Sequence, residues 1–93
     1  MTPSEISPAE RKRRIAQGQR LAALREERTG LSPEAFGLEI GVDGSTIRKI
    51  EAGLGTRRPH VRVMFAVAKG LDLPMAEVFP PERSRQPRKR VTA

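Results

Sequence analysis

The 93-residue chain has no cysteine, no tryptophan and no tyrosine, and only one histidine and three phenylalanines; each shortage removes a class of protein. Without cysteine there is no disulfide framework, no thiol chemistry and no cysteine-based zinc site, so nothing points to an oxidising compartment. A single histidine leaves a metal ion without a donor set, and no metal is expected. No apolar run is long enough for a signal peptide or a membrane-spanning helix, so the expected location is cytoplasmic, without a membrane partner. No Gly-rich phosphate loop follows a strand pattern and no carboxylates cluster. The chain is therefore expected to carry no catalytic residues and no cofactor, and not to be an enzyme. Internal repeats and the apolar-polar alternation of a strand are missing throughout. The lack of Trp and Tyr leaves Phe36, Phe65, Phe79 and aliphatic residues as the only large core groups. A partner that binds only the folded state would then add useful stability.

What is abundant is positive charge. Lys and Arg number 18 against 11 Asp and Glu, for a formal net charge of +7 and an isoelectric point near 11.3. A chain this short holds one domain at most. On so small a domain, such a balance is the electrostatic footprint of a polyanion binder, nucleic acid above all; a merely soluble basic domain is the alternative.

Local signals divide the chain into helices. Ser7-Pro8-Ala9-Glu10 reads as a helix start, with Ser7 accepting from the Glu10 N–H, Glu10 reaching back and Pro8 in the first helical position. That helix runs over 8–28, with Ile15, Leu21 and Leu24 as a modest apolar stripe, and closes at Thr29-Gly30. Ser32 and Pro33 open a second helix over 33–40, with Phe36 and Ile40 on one face and Gly41 as its stop. Asp43 caps a third over 44–52, whose Ile47 and Ile50 point inward while Ser45, Thr46, Arg48 and Lys49 point outward. After a Gly- and Pro-containing loop, Val61, Met64, Phe65, Ala68 and Leu71 predict a fourth helix over 60–71 with these residues buried. A last turn or two over 74–79 must end at Pro80-Pro81. The expectation is an all-α fold, a compact bundle of about five short helices around a central helix-turn-helix. It occupies residues 8–79, with a flexible N-terminus over 1–7 and a disordered basic tail over 80–93.

Two short helices joined by a tight Gly-containing link match the helix-turn-helix, in which the second helix enters the major groove. Gly18, Leu24-Arg25, Gly30-Leu31-Ser32, Ile40-Gly41-Val42, Ser45-Thr46-Ile47, Ile50-Glu51-Ala52-Gly53, Arg58-Pro59, Ala68-Lys69-Gly70-Leu71 and Val78-Phe79 stand in consistent order. On these residues, the run from Gly18 to Phe79 resembles the lambda-repressor-like, or Cro/repressor, helix-turn-helix family. The resemblance implies sequence-specific binding of double-stranded DNA by a bacterial or phage transcriptional regulator of repressor type, associated with the nucleoid when bound. It implies base readout by Gly44, Ser45, Arg48 and Lys49. Arg48 and Lys49 have the chemistry for guanine O6 and N7, and Ser45 can serve several bases; a solvated face or phosphate contacts are the alternative for the two cations. Two positions depart from the family. Gly44 replaces a long polar reader and offers only its N–H and close approach, and Pro33 replaces a residue that contacts phosphate and braces the reader.

The resemblance also implies phosphate contacts from Ser32, Thr46, Thr56, Arg57, Arg58 and Arg62, with a solvated loop as the alternative for Arg57 and Arg58, and a capping or surface role for His60. It implies a structural ion pair between Glu51 and Arg25, with Arg28 as substitute. Outside the expected core, Arg11, Lys12, Arg13 and Arg14 and the tail residues Arg83, Arg85, Arg88, Lys89 and Arg90 read either as auxiliary basic arms on DNA or as solubilising segments. Val63, Val67 and Leu38 add apolar surface that suits a homodimer or packing against Ile6 and Ile15. An antitoxin or protein-binding adaptor with a protein partner, and an architectural or recombination accessory factor, are the rival functions. The absence of acidic residues among Ser45, Thr46, Arg48 and Lys49 favours DNA.

Overall fold

A computed structural model of the chain describes residues 6–81. The described residues form five helices and no strand, in the order α1 (Pro8–Arg28), α2 (Pro33–Ile40), α3 (Gly44–Glu51), α4 (Val61–Leu71) and α5 (Met75–Val78). Most of the anticipated N-terminus and basic tail, including Arg83, Arg85, Arg88, Lys89 and Arg90, lies outside the described residues.

The helix starts follow the anticipated chemistry in two cases and depart from it in a third. Ser7 Oγ accepts from the Glu10 N–H at 3.0 Å and Ser32 Oγ from the Ala35 N–H at 3.1 Å, each satisfying an N–H that the helix itself leaves unpaired. Glu10 does not reach back to close a capping box; its carboxylate is drawn to arginine side chains instead. Asp43 stands at the N-cap of α3, but its side chain makes no capping bond. At α4 the cap is His60, whose Nδ1 accepts from the Arg62 N–H at 3.0 Å. The turn between α2 and α3 depends on Gly41, which adopts φ 78°, a left-handed conformation that glycine takes without a Cβ clash. The Val42 N–H then returns to the Gly37 carbonyl at 2.8 Å, so the chain reverses within a few residues.

α2 packs on α3 and α4, while α1 lies against α3 and α4 and α5 closes on α4. The shared core holds Leu21, Phe36, Ile47, Met64, Val67, Ala68, Leu71, Val78 and Phe79. Phe65 and Val61, expected inside, are 60% and 58% exposed, and Ile15 is also largely exposed. The buried face of α4 is Met64, Val67, Ala68 and Leu71, and at about 100° per residue Phe65 points well away from its centre. α4 is apolar almost all round, so its sequence is compatible with more than one face turned inward; Val67, counted beside the stripe, is in the core.

Arginines close the C-terminal ends of the later helices. Arg28, the proposed substitute partner for Glu51, instead donates through Nε to the Leu71 carbonyl at 2.8 Å. Arg20 donates to the carbonyls of Glu77 and Val78. Both place positive charge where carbonyls of a helix end are left unpaired, which also suits the helix dipole.

Candidate nucleic-acid interface

α3 divides cleanly into an inner and an outer side. Ile47 is buried and Ile50 half-buried, while Ser45, Arg48 and Lys49 are exposed and Gly44 and Thr46 are half-buried. Seating the isoleucines in the core therefore turns the polar side chains outward, as the helical period requires.

The C-terminal end of α3 is anchored by an ion pair. Arg25 Nε lies 2.8 Å from Glu51 Oε2 and Arg25 Nη2 lies 3.0 Å from Glu51 Oε1, a bidentate fork between side chains only 8% and 13% exposed. Arg25 Nη1 also donates to the Leu31 carbonyl, so one guanidinium ties α1, the end of α3 and the start of the α2 segment together. The Glu51 hydrogen bonds raise the Arg25 pKa, against a smaller opposing effect of burial. Just beyond, a Cβ on Gly18 would stand 2.3 Å from the Glu51 carbonyl oxygen; α1 and α3 approach this closely because residue 18 has no side chain.

The N-terminal end is arranged differently. A Cβ on Gly44 would come within 3.0 Å of Glu34 Cα and Cγ, so glycine here permits the first turn of α2 to lie against the first turn of α3. Glu34 thereby reaches the outer face of α3, where its Oε2 lies 2.6 Å from Arg48 Nη1. α3 itself carries no acidic group on this face, and the fold supplies one from α2. Gly44 was the available signal, since a glycine in place of a longer residue permits close approach of a neighbouring element.

The loop after α3 carries the two arginines assigned to phosphate, and both guanidiniums are engaged. Arg57 forks onto Glu10, with Nε 3.1 Å from Oε2 and Nη2 2.9 Å from Oε1. Arg14 Nε shares the same carboxylate at 2.9 Å, and Arg13 Nη1 lies 3.5 Å away. Hydrogen bonds from Arg57 and then Arg14 hold the Glu10 carboxyl at about 2, well below its ordinary 4.5. The Arg57 carbonyl accepts from Gln17 Nε2 at 2.7 Å. Arg58 Nη1 donates to the carbonyls of Phe79 and Pro80 at 2.9 and 3.0 Å, clamping the end of α5. Neither the roles of Glu10 and Gln17 nor the clamp by Arg58 has a local signature, because the partners lie far apart in the chain.

Of the other assigned residues, Ser32 serves as the α2 cap, and Thr56 Oγ1 accepts from the Arg58 N–H at 3.2 Å. Arg62 is exposed on the first turn of α4, and Arg11, Lys12 and Arg13 are exposed on the first turns of α1. Among the described residues no group of three or more His, Cys, Asp or Glu is placed to hold a metal ion, and no helix is long and apolar enough to cross a membrane. Between the end of α1, α2 and α4 lies a groove of about 520 Å³ lined among others by Leu31, Phe36, Ile40 and the exposed Phe65, and the 87% exposed Leu38 lines a separate depression with Leu31, Ala35 and Glu39.

Compared with known protein families, residues 21–78 match a family described as helix-turn-helix. Neither a curated protein nor a solved structure gives a significant match. The matched stretch begins part way along α1, so its first turns lie outside it.

Proposed function

The chain belongs to the lambda-repressor-like helix-turn-helix family of DNA-binding domains, and from that premise we propose that it is a sequence-specific regulator of transcription, of the repressor type found in bacteria and phages. The observation that carries this reading is the outer face of α3, where Ser45, Arg48 and Lys49 stand exposed on a helix whose other side is locked into the core. Arg48 and Lys49 suit the acceptors of guanine, and Ser45 suits several bases. Gly44 contributes its backbone N–H at the helix start, where donors point outward. Ser32, Thr46, Thr56 and Arg62 are the phosphate contacts of this reading. Arg57 and Arg58 contribute mainly by shaping the loop, because Glu10 and the carbonyls of Phe79 and Pro80 already occupy them.

The exposed Phe65 in the groove, with the exposed Leu38 in the depression next to it, favours a homodimer as the binding unit, because exposed apolar surface is a frequent mark of protein contact. Glu39 and Lys69 line that groove with opposite charges, which allows a face to pair with its own copy. Sedimentation velocity tests this part: Phe65→Glu is expected to leave a monomer if the wild type dimerises through this face.

The direct test is selection of double-stranded DNA from a random-sequence library by the purified protein. The expected outcome is one enriched motif, two-fold related if the protein is a dimer, whose binding weakens about tenfold or more in Arg48→Ala or Lys49→Ala. Binding with a steep salt dependence and no enriched motif would replace this reading with an architectural role. No binding at moderate salt would favour a protein-binding adaptor.

A further inference from the structure

The first turns of α1 do not belong to the matched helix-turn-helix stretch, yet they are fastened to it at several points. Glu10 holds Arg57 and Gln17 holds the Arg57 carbonyl. Gly53, directly after α3, approaches so closely that a Cβ on it would lie 2.8 Å from the Ile15 backbone. An isolated charged helix end would fray in water; this one is tied to the loop that follows the proposed recognition helix.

The tethers also set its rotation. Gly18 faces the end of α3, and the backbone of Arg14 and Ile15 faces Gly53. Residues 11, 15 and 18 fall on one helical stripe, so Arg11 projects from that stripe one turn beyond Ile15, past the end of α3 and alongside the loop. Lys12 adjoins it on the outward side. Both are exposed, and neither forms an ion pair among the described residues. Glu10, the acidic residue that could offset them here, is already shared by Arg14 and Arg57. Two exposed cations with no ion pair among the described residues, held on a tethered helix end beside the loop that follows the proposed recognition helix, have the sign that a polyanion backbone attracts.

We infer that Arg11 and Lys12 form a fixed basic ledge that binds backbone phosphates flanking the site read by α3. This rests on the DNA-binding reading above and adds to it a contact surface outside the family's matched segment. The ledge lengthens the footprint on one side without reading bases, because phosphate contacts position a protein but carry no sequence information.

The experiment uses the full chain and the motif recovered by selection, with affinity followed against salt by fluorescence anisotropy. In Arg11→Gln/Lys12→Gln, the slope of log affinity against log salt is expected to fall by about 2 for each bound chain, near one per lost contact, with the enriched motif unchanged. A second variant that keeps both charges, Arg11→Lys/Lys12→Arg, is expected to keep the slope, because phosphate contacts need the cation and not the particular side chain. Trimming the DNA to the edges of the motif is expected to weaken the wild type several-fold and leave Arg11→Gln/Lys12→Gln unaffected. An unchanged slope in Arg11→Gln/Lys12→Gln, or an equal fall in Arg11→Lys/Lys12→Arg, would overturn the ledge while leaving sequence-specific binding intact. No DNA binding by the wild type would overturn both.

Discussion

At its C-terminal end α3 is gripped from several sides, whereas at its N-terminal end it rests on the close approach of Gly44 to Glu34. The gripped end has a largely buried ion pair, Glu51 with Arg25, a glycine contact at Gly18 and a loop pinned through Arg57 and Glu10. The open end has no side-chain cap, and along the outer face that runs from it the ion pair of Arg48, in the last turn, with Glu34 is more than half exposed. The contrast teaches how a small domain can hold a helix at a fixed angle while leaving reading side chains free to adapt. Stability depends on the end where polar groups are shielded from water, because there a lost partner leaves a desolvated charge. The proposed recognition uses the outer face, where Ser45, Arg48 and Lys49 stay hydrated and exchange partners at little cost.

The largest expected effect comes from breaking the grip. Glu51→Ala leaves Arg25 buried without its carboxylate and should lower stability by about 3 kcal/mol, read by urea unfolding, while the recovered DNA motif stays the same. Unchanged stability with an altered motif would make the pair part of the reading surface. Gly18→Val forces a side chain into the Glu51 and Ile50 carbonyls and should cost about 2–3 kcal/mol, seen as a lower melting temperature.

On the outer face the expected signature is reversed. Glu34→Gln should leave stability within about 0.5 kcal/mol, as for ordinary surface changes. With a carboxylate removed from the proposed DNA-facing side, binding to random-sequence DNA should tighten several-fold, while discrimination at the base that the proposed function assigns to Arg48 should fall. A melting shift as large as that of Glu51→Ala would erase the difference between the two ends.

The smallest effect sharpens the gripped end by pH. The Glu10 pKa of about 2 lies below its ordinary 4.5, so its contribution is complete above pH ~4.5 and is lost as pH falls toward 2. The difference in melting temperature between wild type and Glu10→Gln should therefore shrink as pH is lowered from about 5 to about 2. A difference that does not change over that range would mean that the clasp on Arg57 adds no stability.

Helix placement was legible in the sequence because its determinants are local. Ser7, Ser32 and the prolines after them start helices, and Gly30, Gly41 and Gly53, all at positive φ, stop them with a conformation that residues with a Cβ rarely adopt. The outward face of α3 was equally legible, since Ile47 and Ile50 leave only one way to orient an eight-residue helix. The Arg25 and Glu51 pairing came from the resemblance to the family. Other features had no local trace. Nothing near Phe65 says that α4 turns it to solvent, because α4 is apolar nearly all round and its neighbours choose the face. Nor does anything near Arg57 reveal Glu10, which lies at the far end of another helix.

By itself, then, the sequence determined the helices, their stops, the positive charge and the side of α3 that faces outward, all of which follow from backbone preferences and periodicity within a few residues. Only the tertiary structure decided which cations are spent on holding the fold and which remain on the surface. An arginine's role depends on whether a carboxylate or an unpaired carbonyl from a distant segment lies within hydrogen-bond reach, and chain separation carries no record of that distance.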